Sequence, residues 1–406
     1  MIRRLLFIIL IIINIFTLSG CWDAQQLDNL AVVTGIALEK GSEGRIRIII
    51  QAVNTQAVSA DSGASGLTFQ KAYQNKAVEG YSLYEAFDNI RFITSTQQFY
   101  SHLGVIIIAE DLARERGMTE FLDYFERNAQ SRLDSWVLIG RGDLTELMDS
   151  PGGIRTIPTQ RIQARMETLP TPPFAALQLA EFIKLMQNES LQPYTAGVEN
   201  KASISAADEP GHGILDGNVP DPLYDITVNG TAVFRQDKLV GWLDKEESRG
   251  LQWLRGQVSQ VNRVFENPDH PGKRIGVYIV SAKTRLEPQI RNGQIVMQVN
   301  LEVQSYLQES QGKANWGETS ALSRLEAAQG EQIKREVEAA LQKGQQEYQT
   351  DIFGFGQAVH RNYPEEWKLI SSEWSEIFPA VPVEIQVKST IRHTSLITQP
   401  AEPAPK

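Results

Sequence analysis

Alternation of apolar and polar residues predicts that the region after residue 29 begins with two β-strands. The first covers residues 30–38 and the second covers residues 46–53, where Ile46, Ile48 and Ile50 share one face. The link at residues 41–44 begins and ends with glycine, which is typical of a turn. We therefore predict a β-hairpin.

Helical and strand patterns then alternate as far as residue 148. Ser82 and Glu85 fit a capping box at the start of a helix. The pattern further predicts a strand at 105–109, a helix at 111–128, a strand at 136–140 and a short helix at 144–148. Strands that alternate with helices over short links indicate an α/β first domain with a mixed sheet.

The second half of the chain has longer strands. A tight hairpin is predicted at 231–242, and alternating strands at 275–286 and 295–304 flank Asn292-Gly293, a strong signal for a two-residue turn. A helix over 330–348 has an apolar stripe, and a closing strand is predicted at 381–387. This arrangement predicts an antiparallel sheet with packed helices.

The fold class that we predict is α+β, in several domains, with mixed or antiparallel sheets and packed helices. Residues 21–186 are expected to form an N-terminal α/β domain and residues 229–395 a C-terminal α+β domain. The range 187–228 is rich in Pro and Gly and is predicted to be a linker or a small middle domain. Residues 55–65 are predicted to form a loop, and the tail 396–406 to be disordered.

The N-terminus has the features of an export signal. Arg3 and Arg4 precede an apolar run at residues 5–18, which is shorter than the roughly 20 residues of a transmembrane helix. Leu18-Ser19-Gly20 then leads into Cys21, the only cysteine of the chain, in the pattern of a bacterial lipobox. We predict that residues 1–20 are removed and that Cys21 carries a diacylglyceryl anchor. No later apolar stretch approaches membrane length, so the rest of the chain is expected to be water-soluble.

Charge and cysteine content limit the classes of partner and the kinds of covalent or metal site that we expect. The chain of 406 residues has a formal net charge of −10, and loss of the two signal-peptide arginines lowers it to −12. Such an acidic chain is not expected to bind nucleic acid. With Cys21 lipidated, no thiol remains for a disulfide or a cysteine-based metal site.

The sequence contains no complete catalytic motif, so we predict that the chain is not an enzyme. The five histidines lack the i, i+4 spacing of a helical zinc site, and His102, which precedes an apolar strand, is expected to be structural. Ser310 and Lys313 match a Ser-x-x-Lys pattern, but its companion motifs are missing, so we interpret the match as chance. Gly354 and Gly356 are expected to serve the backbone at a kink. The helix-spaced aromatic residues between Tyr363 and Phe378 are expected to pack in a core.

Short motifs occur in order along nearly the whole chain after the signal. They are Cys21-Trp22-Asp23, Leu27, Leu30 to Ile36, His102 to Val105, Glu110 to Ala113, Gly230 to Phe234, Leu239 to Leu243, Arg249 to Leu254, Asp351 to Gly356, His360, Tyr363-Pro364, Trp367 and Ile391-Arg392. Together they resemble the C subunits of spore germinant receptors, the Ger(x)C lipoproteins. Departures from that family at Gln26, Glu39, Asn128 and Ser395 concern local turns.

The resemblance implies a three-domain α+β lipoprotein that works with two integral membrane subunits, A and B. Such a complex lies in the inner membrane of a dormant spore and triggers germination when nutrients arrive. The resemblance implies no catalysis, cofactor or metal for this subunit, and it places no germinant contact on a named residue.

Two rival hypotheses come from other classes of protein. A solute-binding lipoprotein of an ABC transporter would have the same export signal, but it needs two α/β lobes around a cleft. An anchored cell-wall hydrolase would need convergent carboxylates around a groove, which the sequence neither supports nor excludes.

Overall fold

The computed structural model describes residues 30–54, 71–128, 130–150, 157–168, 170–172, 174–202, 224–312 and 318–393. Cys21, the predicted loop at 55–65, Lys313 and the tail 396–406 lie outside the described residues. The predictions made for them therefore stay predictions.

The first sheet is mixed and has ten strands among the described residues. Its main order is β10-β9-β8-β6-β5-β1-β2-β3, with β4 beside β1 and β7 beside β6. Strands β1, β5, β6 and β8 pair in parallel with one another. The outer pairs, β1–β2, β2–β3, β8–β9 and β9–β10, are antiparallel. The strands are β1 (Leu30–Lys40), β2 (Ile46–Val53), β3 (Tyr73–Gly80), β4 (Gln97–Phe99), β5 (Val105–Ala109), β6 (Trp136–Arg141), β7 (Leu177–Gln178), β8 (Tyr194–Ala202), β9 (Tyr224–Arg235) and β10 (Lys238–Leu243).

The predicted N-terminal hairpin is confirmed. Strands β1 and β2 pair in antiparallel register, with Ile36 opposite Ile50 and Lys40 opposite Ile46. Glu43 and Gly44 adopt positive φ angles of 51° and 76° in the link, which the turn requires.

The range 187–228, predicted to be a linker or a small middle domain, contains strand β8 and the first residues of β9. Both strands lie inside the first sheet, and β9 and β10 continue that sheet beyond residue 229. The first sheet thus takes strands from both sides of the expected domain border, and the division into domains stays a prediction.

The second sheet has four strands in the order β11-β12-β13-β14. The predicted Asn292-Gly293 turn is confirmed, with φ angles of 53° and 80° that suit a tight hairpin. The last strand is parallel to β13, because the connection between them crosses the sheet through several helices, so this sheet is mixed and not antiparallel. The strands are β11 (Ser259–Glu266), β12 (Arg274–Arg291), β13 (Gln294–Ser310) and β14 (Val383–His393).

Helices pack against both sheets. They are α1 (Leu83–Asn89), α2 (Glu110–Glu115), α3 (Thr119–Arg127), α4 (Leu144–Met148), α5 (Pro158–Glu167), α6 (Leu179–Met186), α7 (Lys245–Leu254), α8 (Thr319–Leu341), α9 (Phe355–Asn362), α10 (Pro364–Ile370) and α11 (Trp374–Ile377). A π-helical turn, Gln342–Glu347, continues α8, so the predicted helix at 330–348 is confirmed and begins earlier than expected. Within the described residues, no helix has the length and apolar character needed to cross a membrane.

The predicted helix at 111–128 is wrong, because it is broken into α2 and α3. Gly117 has a φ of +85° at the break, and a Cβ atom there would lie 2.5 Å from an Asp237 carboxylate oxygen. The backbone N–H of Met118 donates to the Asp237 carbonyl oxygen over 2.9 Å. The break therefore accommodates the distant β9–β10 turn.

One buried apolar core extends from the first sheet through α7, α8 and α9 to the second sheet. A smaller cluster that includes Phe265, Ile275 and Leu325 packs at the far end of the second sheet. The fold class is α+β with two mixed sheets, as predicted.

Helices α7 and α8 pack very closely at Gly250. A Cβ atom on Gly250 would lie 1.9 Å from the Glu336 carbonyl oxygen and 2.6 Å from the Ala340 Cβ. On α8 itself, a Cβ on Gly330 would meet only Val387 atoms, at 3.8 Å or more. The two helical glycines thus differ in whether they leave room for a side chain.

We predict that Gly250→Ala lowers the free energy of unfolding by about 2–3 kcal/mol, because a backbone oxygen must move to admit the methyl group. Gly330→Ala is the matched control. It should raise the free energy of unfolding by about 0.5–1 kcal/mol, since Ala favours the helix and the methyl group fits. Urea unfolding measures both changes, and a Gly250→Ala variant as stable as wild type would contradict the close packing described here.

Candidate functional site

Three of the stretches that carry the family resemblance, at 239–243, 249–254 and 351–356, lie where the two sheets join and contact α8 and the segment after it. We call this region the sheet junction and define it by Trp242, Trp253, Glu336, Tyr348 and Asp351. Strand β10 and helix α7 provide the two tryptophans, and α8 with the segment after it provides the other three residues.

Tyr348 lies against the edge of strand β10. Its hydroxyl donates to the Trp242 carbonyl oxygen over 2.8 Å and accepts from the Trp242 backbone N–H over 3.1 Å. Gly241 makes this approach possible, because a Cβ there would lie 2.2 Å from the tyrosine ring. Burial raises the pKa of Tyr348. A side chain from the second half of the chain thus covers backbone groups of an edge strand, which protects that edge.

The Trp242 indole faces the first sheet and its helices. Its Nε1 donates to a Glu110 carboxylate oxygen over 2.9 Å, and the Arg141 guanidinium lies 3.5 Å from the ring centroid. Burial raises the pKa of Glu110, but hydrogen bonds from Trp242 and Arg114 outweigh this effect and hold the pKa below its usual value. Trp242 therefore connects helix α2 with the sheet junction.

Glu336 is a buried acid on helix α8, with 3% of its surface exposed. It accepts from Trp253 Nε1 over 2.8 Å and from Arg249 Nε over 2.7 Å, both on α7. A buried carboxylate needs such donors, because its desolvation is otherwise costly. These bonds fix α7 and α8 in one orientation at the point of closest approach.

Asp351 is the most heavily hydrogen-bonded acid of the sheet junction. One carboxylate oxygen accepts from the backbone N–H groups of Phe353, Gly354 and Phe355 at 3.1, 2.9 and 3.2 Å. The other accepts from Gly356 N at 2.7 Å and from Trp374 Nε1 at 3.1 Å. Burial raises the pKa of Asp351, while the N–H donors act in the opposite direction because they favour the charged form.

Both glycines of this turn have the expected backbone role. Gly354 has a φ of +91° and lies at the N-cap of α9. A Cβ on Gly356 would lie 2.7 Å from the Ser190 carbonyl oxygen and 2.8 Å from Trp374 Nε1. The turn is therefore held against the Ser190 backbone on one side and against Trp374 on the other.

Three of the four aromatic residues predicted to pack in a core near the chain end do so, whereas Tyr363 is only half-buried. Trp367, Trp374 and Phe378 are each exposed by 5% or less. His360 is exposed and stacks on Trp367, with ring centroids 5.7 Å apart. The rings surround the Asp351 turn and separate it from water, which makes its internal hydrogen bonds stronger.

The other candidate residues named from the sequence are not part of the sheet junction. His102 is exposed, and its ring lies 5.9 Å from that of Phe99. Ser310 ends strand β13, while Lys313 lies outside the described residues. In the described part of the chain, no group of three or more His, Cys, Asp or Glu residues could hold a metal ion. The absence of catalysis and of cofactors stays a prediction.

The roles of Glu336, Tyr348 and Glu110 were not predicted from the sequence. Glu336 lies three residues after Ile333 on the buried stripe of α8, so an acidic residue on an apolar helix face was the signal that could have identified it. No local pattern indicates the contacts of Tyr348 and Glu110, because their partner Trp242 is more than 100 residues away in both cases.

Comparisons with known proteins match both halves of the chain. Residues 23–199 match the family described as "Spore germination protein N-terminal domain". Residues 229–395 match the family described as "Spore germination B3/ GerAC like, C-terminal". The chain belongs to the Ger(x)C family of spore germination proteins.

Individual relatives come from Bacillus subtilis (strain 168). The chain is similar to "Spore germination protein KC", at 22% identity over 98% of each chain. It is also similar to "Spore germination protein B3", at 25% identity over 90% of this chain and 91% of the relative. A solved structure, "Crystal Structure of the GerBC protein", has the same fold with a TM-score of 0.57, at 21% identity over 91% of this chain and 99% of that chain.

We predict that Asp351→Asn lowers the free energy of unfolding by about 3 kcal/mol. Asparagine keeps one acceptor oxygen, and its NH₂ group would face N–H donors that now have no acceptor. Asp123→Asn is the control, since Asp123 forms an exposed ion pair with Arg127 and its loss should leave the unfolding midpoint nearly unchanged. Equal urea midpoints for the two variants would show that the Asp351 network contributes little.

Proposed function

We propose that this chain is the lipid-anchored subunit of a nutrient germinant receptor that takes part in triggering spore germination. The observation that carries the proposal is the match of both halves of the chain, residues 23–199 and 229–395, to spore germination families. Its partners in this proposal are two integral membrane subunits, A and B. The complex lies in the spore inner membrane or the cell membrane, with the described domains on the outer face.

The lipid anchor in this proposal is a diacylglyceryl group on Cys21. Support comes from the sequence Leu18-Ser19-Gly20-Cys21 after a short apolar run. Two or more acyl chains give lasting attachment, whereas one does not. Tethering confines the described domains to a thin layer beside the membrane subunits. It raises the effective concentration of these domains at the membrane subunits, so that weak contacts suffice for binding.

The subunit in this proposal is a scaffold or a coupling element and has no catalytic role. The polar groups at the sheet junction support this, since Glu336 and Asp351 are buried and their carboxylate oxygens are occupied by donors of the chain itself. Such groups hold two sheets in a fixed relation. A rigid body of this kind can pass a displacement from one membrane partner to another.

No observation favours the rival hypothesis of a solute-binding lipoprotein. That class needs two α/β lobes around a cleft, whereas one apolar core connects both sheets here. The relatives described above give it no support either.

The proposed function is tested by affinity purification of the tagged full-length chain from detergent-solubilised spore membranes. Two polytopic germinant receptor subunits should co-purify and be identified by mass spectrometry. An ABC permease with its ATPase in the eluate, in place of those subunits, would contradict the proposal.

We predict that Cys21→Ala slows nutrient-triggered germination about tenfold or more, because loss of the tether removes the effective-concentration gain. The variant should leave the membrane fraction while its unfolding curve stays unchanged. As a control, the mature chain fused behind an unrelated transmembrane helix should restore the response. A normal germination rate with Cys21→Ala protein at native abundance would refute the role of the anchor.

A further inference from the structure

Apolar and aromatic side chains are exposed on α1 and on the segment that connects it to β4. Phe92 is 81% exposed, Tyr84 76% and Ile93 48%. We call these three residues the α1–β4 surface. Exposed apolar residues that cluster beside a cavity are typical of interaction sites.

A cavity of about 600 Å³ opens beside the α1–β4 surface. Tyr84 itself lines it, together with Ile90 and Arg91 from the segment that leads to Phe92. Its lining also includes hydroxyl and amide side chains as well as aromatic rings, from Thr94, Thr96, Gln97, Gln98, Tyr100 and Tyr124. A polar cavity beside exposed apolar side chains suits an occupant that has both apolar side chains and hydrogen-bonding groups.

The position of this cavity in the fold places it close to the proposed lipid anchor. Gln97, which lines the cavity, is the strand partner of Leu30, the first residue of β1. The chain advances nine residues from Cys21 to Leu30, so even a fully extended segment spans only about 30 Å. The α1–β4 surface therefore stays within reach of the membrane surface and of proteins embedded in it.

The charges around the cavity favour a protein occupant over lipid headgroups. Phosphate headgroups attract clusters of Lys and Arg. Arg91 is the basic residue among those that line this cavity, and its guanidinium lies 3.4 Å from the Asp88 carboxylate. Thr94 Oγ1 and Gln98 Nε2 donate to carbonyl oxygens of this chain. The amide groups of Gln97 and Gln98 each carry an acceptor as well as donors, which match a peptide backbone.

We propose that the α1–β4 surface and its cavity bind an extracytoplasmic polypeptide segment of an integral membrane protein in the same membrane. This inference rests on the proposed function and adds to it the face of the subunit that contacts its partner. The apolar side chains of the segment pack on Phe92 and Ile93, and its backbone groups bond with the side chains inside the cavity.

The test compares two variants of the tagged, lipidated full-length chain, purified from solubilised spore membranes. One carries Phe92→Ser with Ile93→Ser, and the control carries Leu369→Ser, at an apolar residue that is 80% exposed on α10. The first variant should retain about tenfold less of the membrane subunits than wild type, since two apolar contacts are lost. The control should retain them fully, and both variants should melt like wild type because the replaced side chains are exposed.

The outcomes separate this inference from the proposed function. If the wild-type chain itself retains no membrane subunits, the proposed function fails. If wild type retains them and the Phe92→Ser, Ile93→Ser variant retains them equally well, only the surface inference is overturned.

Photocrosslinking identifies what lies on the surface. With p-benzoylphenylalanine in place of Phe92, irradiation of intact membranes should give an adduct with a membrane subunit that co-purifies with wild type. The same residue in place of Leu369 should give no such adduct. An adduct at position 92 with phospholipid, or with another part of this chain, would overturn the inference.

Discussion

The carboxylate of Asp351 lies in an aromatic core, where an acid is stable only if donors surround it. Five N–H groups do so, four from the following turn and one from Trp374. Each backbone N–H reaches the carboxylate only if the turn follows one particular path. That path gives residue 354 a positive φ and leaves no room for a Cβ atom at residue 356, so both positions require glycine. An unpaired buried charge costs several kcal/mol, so alternative packings of this turn are excluded.

The same constraint recurs at Glu336, the other buried acid of the sheet junction, which fixes α8 against α7. Beside the junction, the half-buried Glu110 accepts from the Trp242 indole and so connects α2 to it. Tyr348 lies between these two contacts and belongs to the segment that leads into Asp351. Hydrogen bonds of this kind give less net stability than apolar burial, but they define one geometry. The two sheets are thus held in a single relation.

The elements that could be predicted from the sequence are those whose signal is local. The hairpin at Asn292-Gly293 and the apolar strand at 105–109 depend on neighbouring residues, and both are present. The break at Gly117 depends on Asp237, which is distant in the sequence, so the helix pattern alone gave the wrong result. Strand β8 was not predicted, because the sequence beside it is rich in Pro and Gly. Helix α5 was not predicted either, because it begins at Pro158, and a proline at the first position of a helix starts the helix instead of ending it.

The functional residues divide in the same way. Cys21, the proposed lipid-attachment residue, was predicted from its local sequence, because export and lipidation signals are short linear motifs. The partners of Asp351 and Glu336 are set by tertiary packing, and no local pattern names them. The family resemblance identified the stretches that meet at the sheet junction, but it did not show that they contact one another.

In the proposed scaffold or coupling role, rigidity and tethering act together. A flexible chain beside the membrane would absorb a displacement of its partner, whereas a body with one continuous core transmits it. With the proposed anchor on Cys21, the short connection to Leu30 limits which faces of that body can meet the membrane proteins. Strand β1 begins at that connection and lies inside the first sheet, where paired strands connect it to β10 and the sheet junction. In this proposal, a displacement near the tether reaches the second sheet through these paired strands and the shared apolar core.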